Sequence, residues 1–87
     1  MTARKSRYQT AFGEALSDQL TKRRMTQSEL AGATGRSLPY ANQTMTGRKS
    51  ASADWCDLVA DVLRLSKEER GKLHRAAAKD HGFKIEL

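Results

Sequence analysis

The sequence predicts an all-α fold of about five short helices closed by a short C-terminal β-strand. Three observations predict it. Apolar residues recur at helical spacing, beginning with Phe12, Leu16 and Leu20. Two capping boxes, Thr26-x-x-Glu29 and Ser66-x-x-Glu69, mark places where helices start. Glycines at 35, 47 and 82 stand where helical runs stop, because glycine enters the left-handed C-terminal turn without a steric penalty.

The elements follow in chain order. Residues 9–24 carry Phe12, Leu16 and Leu20 with Ala15 beside them and polar residues elsewhere, an amphipathic first helix. Thr26 caps a second helix, which Gly35 ends soon after Thr34. The next stretch, GRSLPYANQTMTG, holds a proline that would break a helix begun earlier but is tolerated in a first turn. With Ser37 or Leu38 as cap, and with proline disfavouring a helical Leu38, a third helix runs over residues 39–46 and Gly47 ends it. Ala41 and Met45 share its inner face, and Tyr40, Asn42, Gln43 and Thr46 point elsewhere. Residues 48–52 form a polar linker. A fourth helix from about Asp54 lays down a core stripe of Trp55, Leu58, Val59, Val62 and Leu63. A fifth, opened by Ser66 and carrying Leu73, Ala76 and Ala77, runs to His81, and Gly82 ends it. Phe83-Lys84-Ile85-Glu86-Leu87 alternates apolar and charged residues, the period of a half-buried strand. The chain contains no second strand to pair with it, so a second copy of the chain is the expected partner.

Composition narrows the function. Eighty-seven residues suit one small domain. A single cysteine, Cys56, excludes an internal disulfide and suits a reducing cytoplasm. No apolar run approaches the roughly 20 residues that span a bilayer, so a soluble cytoplasmic protein with no membrane partner is expected. His74 and His81 lie seven residues apart on a helix surface without ligand-like neighbours, so no metal is expected. No cofactor, small-molecule ligand or catalytic residue set is evident. Charge is the informative quantity: residues 1–50 hold nine Lys/Arg against three acids, whereas residues 51–87 hold seven of each. The whole +6 excess therefore lies in the first half, the footprint of a polyanion-binding face. The third helix is poor in charge on its outer side, and its amides are suited to pair bidentately with adenine in a major groove.

Residues 12–50, FGEALSDQLTKRRMTQSELAGATGRSLPYANQTMTGRKS, resemble the helix-turn-helix domain of phage-repressor and Cro-like (Xre-type) transcriptional regulators. The most specific element is Thr26-Gln27-x-x-Leu30-Ala31-x-x-x-Gly35-x-Ser37, followed by Gly47 and a basic pair. The resemblance implies a second motif helix in the major groove and a first crossing the backbone. It implies that Gln27 touches phosphate, that Ser37, Leu38, Tyr40, Asn42 and Gln43 face the groove with Gln43 reading a base, and that Arg48 and Lys49 meet the flanking backbone. Thr46 belongs to the same face, and Arg36 is either a phosphate contact or a solvated turn residue. Leu38 and Pro39 occupy positions that are often polar base readers, so they either meet a thymine methyl or shape the helix start. Arg36, Thr34 and Gln19 replace apolar residues usual in the family, which implies a thinner core.

The expected protein is thus a non-enzymatic transcriptional regulator, a repressor first, that binds an inverted-repeat operator in double-stranded DNA as a homodimer. Its organisation is a basic arm over residues 1–9, a helix-turn-helix domain over 10–81, and a strand over 82–87 that dimerises through Phe83, Ile85 and Leu87. Some Cro-like proteins dimerise through such strands. An antitoxin or adaptor that binds DNA and a partner protein through its C-terminal part is the alternative, discriminated by whether the tail pairs with itself or with another chain. An RNA-binding module is disfavoured because no cluster of stacking aromatics is present.

Overall fold

The computed structural model describes the backbone of residues 10–85 and the side chains of residues 10–80. Five helices account for the described residues: α1 (Ala11–Lys22), α2 (Gln27–Thr34), α3 (Leu38–Thr46), α4 (Ala53–Leu63) and α5 (Lys67–Ile85). Each of the first four starts at a Ser or Thr, namely Thr10, Thr26, Ser37 and Ser52, whose side chain accepts a backbone N–H from the first turn. Both expected capping boxes form. Thr26 Oγ1 accepts from Glu29 N–H at 3.0 Å while Glu29 Oε1 accepts from Thr26 N–H at 2.8 Å. At α5, Ser66 Oγ and Glu69 N–H make the matching bond at 3.1 Å, with Glu69 Oε1 accepting from Ser66 N–H at 2.9 Å.

Helix α1 packs on α5 and α3, α2 on α3 and α4, and α4 on α5. These contacts enclose one cluster built on Phe12, Leu16, Leu30, Met45, Trp55, Val59 and Leu73, all buried. The expected stripe of α4 divides: Trp55, Val59 and Leu63 are buried, whereas Leu58 and Val62 are half-buried at its rim. Cys56 sits inside the cluster, where burial first and the charge of Asp57 second push its thiol up to about 11. It stays a neutral packing group near pH 7.

The replaced apolar positions are resolved by hydrogen bonding. The Thr34 hydroxyl donates to Leu30 O at 2.9 Å and Ala31 O at 3.1 Å, so a polar atom at that site is satisfied by its own helix. Gln19 is half-buried, and its Oε1 accepts from the Arg23 guanidinium, whose Nε donates to Leu63 O at 3.0 Å.

The expected strand over 82–87 is corrected over its described part. Helix α5 continues through Gly82 to Ile85, and residues 86 and 87 lie outside the described residues. An interior glycine costs a helix only about 1 kcal/mol, less than leaving the backbone groups of a solitary strand unpaired. Of the expected dimerisation residues, Phe83 and Ile85 fall in α5 with their side chains outside the described residues, and Leu87 lies outside them altogether. Boundaries shift elsewhere too. Helix α1 starts at Ala11 and ends at Lys22, α4 starts one residue earlier than expected, and α3 includes Leu38, with Pro39 in its first turn.

Acid sensitivity follows from two carboxylates on this scaffold. A ring N–H of His74, first, and the Arg70 guanidinium hold Asp57 below its ordinary 3.8. The Ser66 backbone N–H, first, and Lys22 hold Glu69 below its ordinary 4.5. Each folded pKa is depressed, so each contribution is fully present above the ordinary value and disappears as the pH falls through it and below. Urea midpoints should therefore hold from pH 7 to about pH 5 and decline below about pH 4. Asp57→Asn should lower the midpoint at pH 7 and flatten part of that decline; an unchanged acid limb would remove Asp57 from the account.

Candidate nucleic-acid interface

Helices α2 and α3 are joined by residues 35–37. Gly35 adopts φ +74°, and the next amide, Arg36 N–H, donates back to Ala31 O at 2.9 Å, which closes α2. Ser37 then caps α3, its Oγ accepting Tyr40 N–H at 3.2 Å. Pro39 is the second residue of α3, where a helix has no partner for an N–H. Gly47, at φ +94°, ends it.

Which side of α3 faces outward is decided by packing. Ala41, Thr44 and Met45 are buried. At about 100° per residue, Leu38, Asn42, Thr46, Pro39 and Gln43 occupy the opposite arc, about 140° wide. Leu38, Pro39 and Thr46 are exposed, and Asn42 and Gln43 half-buried. None of the five is charged. Cations stand at both ends of the arc: Arg36 in the turn before α3, and Arg48 and Lys49 after Gly47, all exposed.

Like Arg24, Arg64, Lys67, Lys72, Arg75 and Lys79, they are in no ion pair among the described residues, but these three stand beside the uncharged arc. Lys22 and Arg23 reach Glu69 at 3.4 and 3.7 Å, and Arg70 meets Asp57 at 2.9 Å and Asp61 at 2.6 Å, all on the side of α1, α4 and α5. Among the described residues, no ion pair involves Arg36, Arg48 or Lys49. Their charge is unneutralised by the protein, and an external polyanion is the partner such an arrangement suits.

Two sequence-predicted groove residues take different positions from the rest. Tyr40 is half-buried, its ring in edge contact with Trp55 at 5.0 Å between centroids and 83° between planes. The Arg36 guanidinium carbon lies 5.7 Å from the Tyr40 centroid, so the ring props the cation. Asn42 lies on the arc, but its Nδ2 donates to Gln27 Oε1 at 3.1 Å, tying the start of α2 to the middle of α3. Gln27, Arg36, Ser37, Leu38, Asn42, Gln43, Thr46, Arg48 and Lys49 otherwise lie on or beside the two joined helices.

Three supporting residues escaped the sequence reading. Thr44 is buried and accepts the Trp55 indole N–H at 3.0 Å, fixing α3 against α4. Asp80 of α5 accepts Ala11 N–H and Phe12 N–H, each at 2.9 Å, at the start of α1. Thr10 caps α1 by accepting Gly13 N–H at 2.9 Å, and its hydroxyl donates to Met45 O at 2.7 Å, joining α1 to the end of α3. Asp80 lies 69 residues from Ala11 in the chain, and no local pattern signals such a partner.

The junction of Thr10 with α3 is testable. A Cβ at Gly47 would stand 2.8 Å from Thr10 Cγ2, at a backbone φ of +94° that L residues resist. Gly47→Ala should therefore cost about 1 to 2 kcal/mol for the left-handed backbone, and more for the collision. Adding Thr10→Ser removes the colliding methyl and should restore the second part only. Thermal unfolding of the single and double variants checks this, and equal melting temperatures for Gly47→Ala and the parent would refute it.

Among the described residues, no group of three or more His, Cys, Asp or Glu is placed to hold a metal ion, and no helix is long and apolar enough to cross a membrane. Compared with family models, curated proteins and solved structures, the chain matches none of them.

Proposed function

We propose that this chain binds double-stranded DNA at specific sequences, with α3 in the major groove, and acts in the cytoplasm as a transcriptional regulator, a repressor first. In this reading α2 and α3 form a helix-turn-helix of the phage-repressor and Cro-like type. The observation that carries it is the uncharged arc of α3 bracketed by unneutralised Arg36, Arg48 and Lys49. A groove has this layout: base edges in the middle and phosphates on either rim. Gln43 offers an amide that pairs bidentately with adenine, and Gln27 stands at the α2 N-terminus, where a backbone phosphate is favoured.

A homodimer belongs to the proposal on grounds of size. A helix of nine residues is about 14 Å long and covers about four base pairs, too few to define a unique site. Two copies related by a two-fold axis read an inverted repeat with half-sites about 34 Å, or about 10 bp, apart. Repression is then steric: a dimer on a promoter-overlapping site keeps polymerase off it.

Selection of bound duplexes from a random pool tests the reading. An inverted-repeat consensus supports it, and a pool that does not enrich overturns it. Side-chain roles separate on the selected duplex. Gln43→Ala should lose about 1 to 3 kcal/mol on the consensus and little on random DNA. Arg48→Ala should lose similar amounts on both. Asn42→Ala should resemble Arg48→Ala, since Asn42 steadies Gln27; a loss confined to the consensus would make Asn42 a base reader instead.

A further inference from the structure

Leu38 is the one large apolar side chain exposed among the described residues, 44% accessible where every other described leucine is buried or half-buried. It does not sit on a random part of the surface. It is the first residue of α3, at the leading end of the uncharged arc, one helical turn from Asn42 and next to exposed Pro39. Its backbone is held on both sides, by the Ser37 cap and by the fixed φ of Pro39, so ordering this turn against a ligand costs little conformational entropy.

The position restricts what Leu38 can recognise. An aliphatic side chain neither donates nor accepts, so facing the donors and acceptors of a base edge would desolvate them without replacement. Among the four bases, the apolar group presented in the major groove is the C5-methyl of thymine. We infer that Leu38 is a specificity-determining residue that selects a thymine in each half-site through this methyl, with Gln43 reading a neighbouring base pair. The inference rests on the proposed DNA reading and adds to it the identity of one base pair. Pro39 serves the same end by stiffening the turn that presents Leu38.

Uracil differs from thymine by this methyl alone, which makes the test chemical. In the duplex selected by the parent protein, each thymine of one half-site is replaced in turn by deoxyuridine and affinity is measured. One position should lose about fourfold, the worth of one buried methyl group. Leu38→Ala should bind the thymine and uracil duplexes equally at that position while keeping the parent's sensitivity to changes at the base read by Gln43. Circular dichroism should show Leu38→Ala as folded as the parent, since Leu38 is not part of the buried core. If the scan is flat, or if Leu38→Ala retains the uracil penalty, the assignment of Leu38 is overturned while DNA binding stands. If no duplex is selected at all, the DNA reading fails and this assignment fails with it.

Discussion

Raising monovalent salt from about 50 to about 200 mM should weaken operator binding about a thousandfold. Of the cations without an acid partner among the described residues, three per protomer, Arg36, Arg48 and Lys49, flank α3. Two protomers thus offer six of them to phosphates. Each neutralised phosphate releases condensed counterions and adds about 0.9 to the logarithmic slope, so six predict a slope of about −5. Lys22, Arg23 and Arg70 add little, because Glu69, Asp57 and Asp61 already hold them. Arg48→Ala, present in both protomers, should reduce the slope by about 2, and Gln43→Ala should leave it unchanged while lowering affinity. Fluorescence titrations at four salt concentrations give the slope. A flat line would show that phosphate contacts do not drive binding, and the interface would need to be placed elsewhere.

The largest stability effect is expected at Trp55. Its side chain is 1% exposed, it meets Tyr40 edge-on, and its Nε1 donates to the buried Thr44 hydroxyl, which itself donates to Ala41 O at 2.8 Å. Trp55→Ala removes the ring and leaves a cavity behind α3, at a cost of about 3 to 5 kcal/mol. A domain of this size has a total of order 5 to 10 kcal/mol, so the variant should lose about half of its stability. Thr44→Val is the milder probe. It keeps the volume but strands a buried indole N–H, worth about 1 to 3 kcal/mol. Urea unfolding followed by circular dichroism ranks them, with Trp55→Ala below Thr44→Val below the parent. A loss under about 1 kcal/mol for Trp55→Ala would mean that α3 is supported by something other than this contact.

The two helices of the candidate interface were readable because their signals are local. Thr26 and Glu29 are three residues apart, and so are Ser66 and Glu69; a capping box is closed within one turn whatever the rest of the chain does. Gly35 and Gly47 have the positive φ their positions require. The ends of α1 and α4 were less legible: Arg24 and Arg64 take positive φ without being glycine, and the next amides, Met25 N–H and Leu65 N–H, donate back to Leu20 O and Ala60 O, each at 2.9 Å. The tail shows the weakness of short patterns. Five alternating residues satisfy a strand's period, yet the same residues extend an existing helix, and over residues 83–85 the helix is what forms.

By itself, the sequence determined the all-α class, the capped starts of α2 and α5, the tight turn between α2 and α3, and the charge excess of the first half. Each of these follows from residues within a few positions of one another or from composition. Only the tertiary structure decided which polar residues are spent on support and which face outward. Thr44, Asn42, Tyr40 and Asp80 look like surface residues when read along the chain; the first is buried under Trp55, the second bonded to Gln27, the third wedged against Trp55, and the last fastened to the start of α1. Arg36, Arg48 and Lys49 resemble Lys22 and Arg70 in the same way until the fold brings acids to the latter two and none to the former three. The physical reason is common to all: hydrogen bonds and ion pairs reach only a few ångströms, and which groups come that close across 11 to 69 residues of chain is set by how the helices pack.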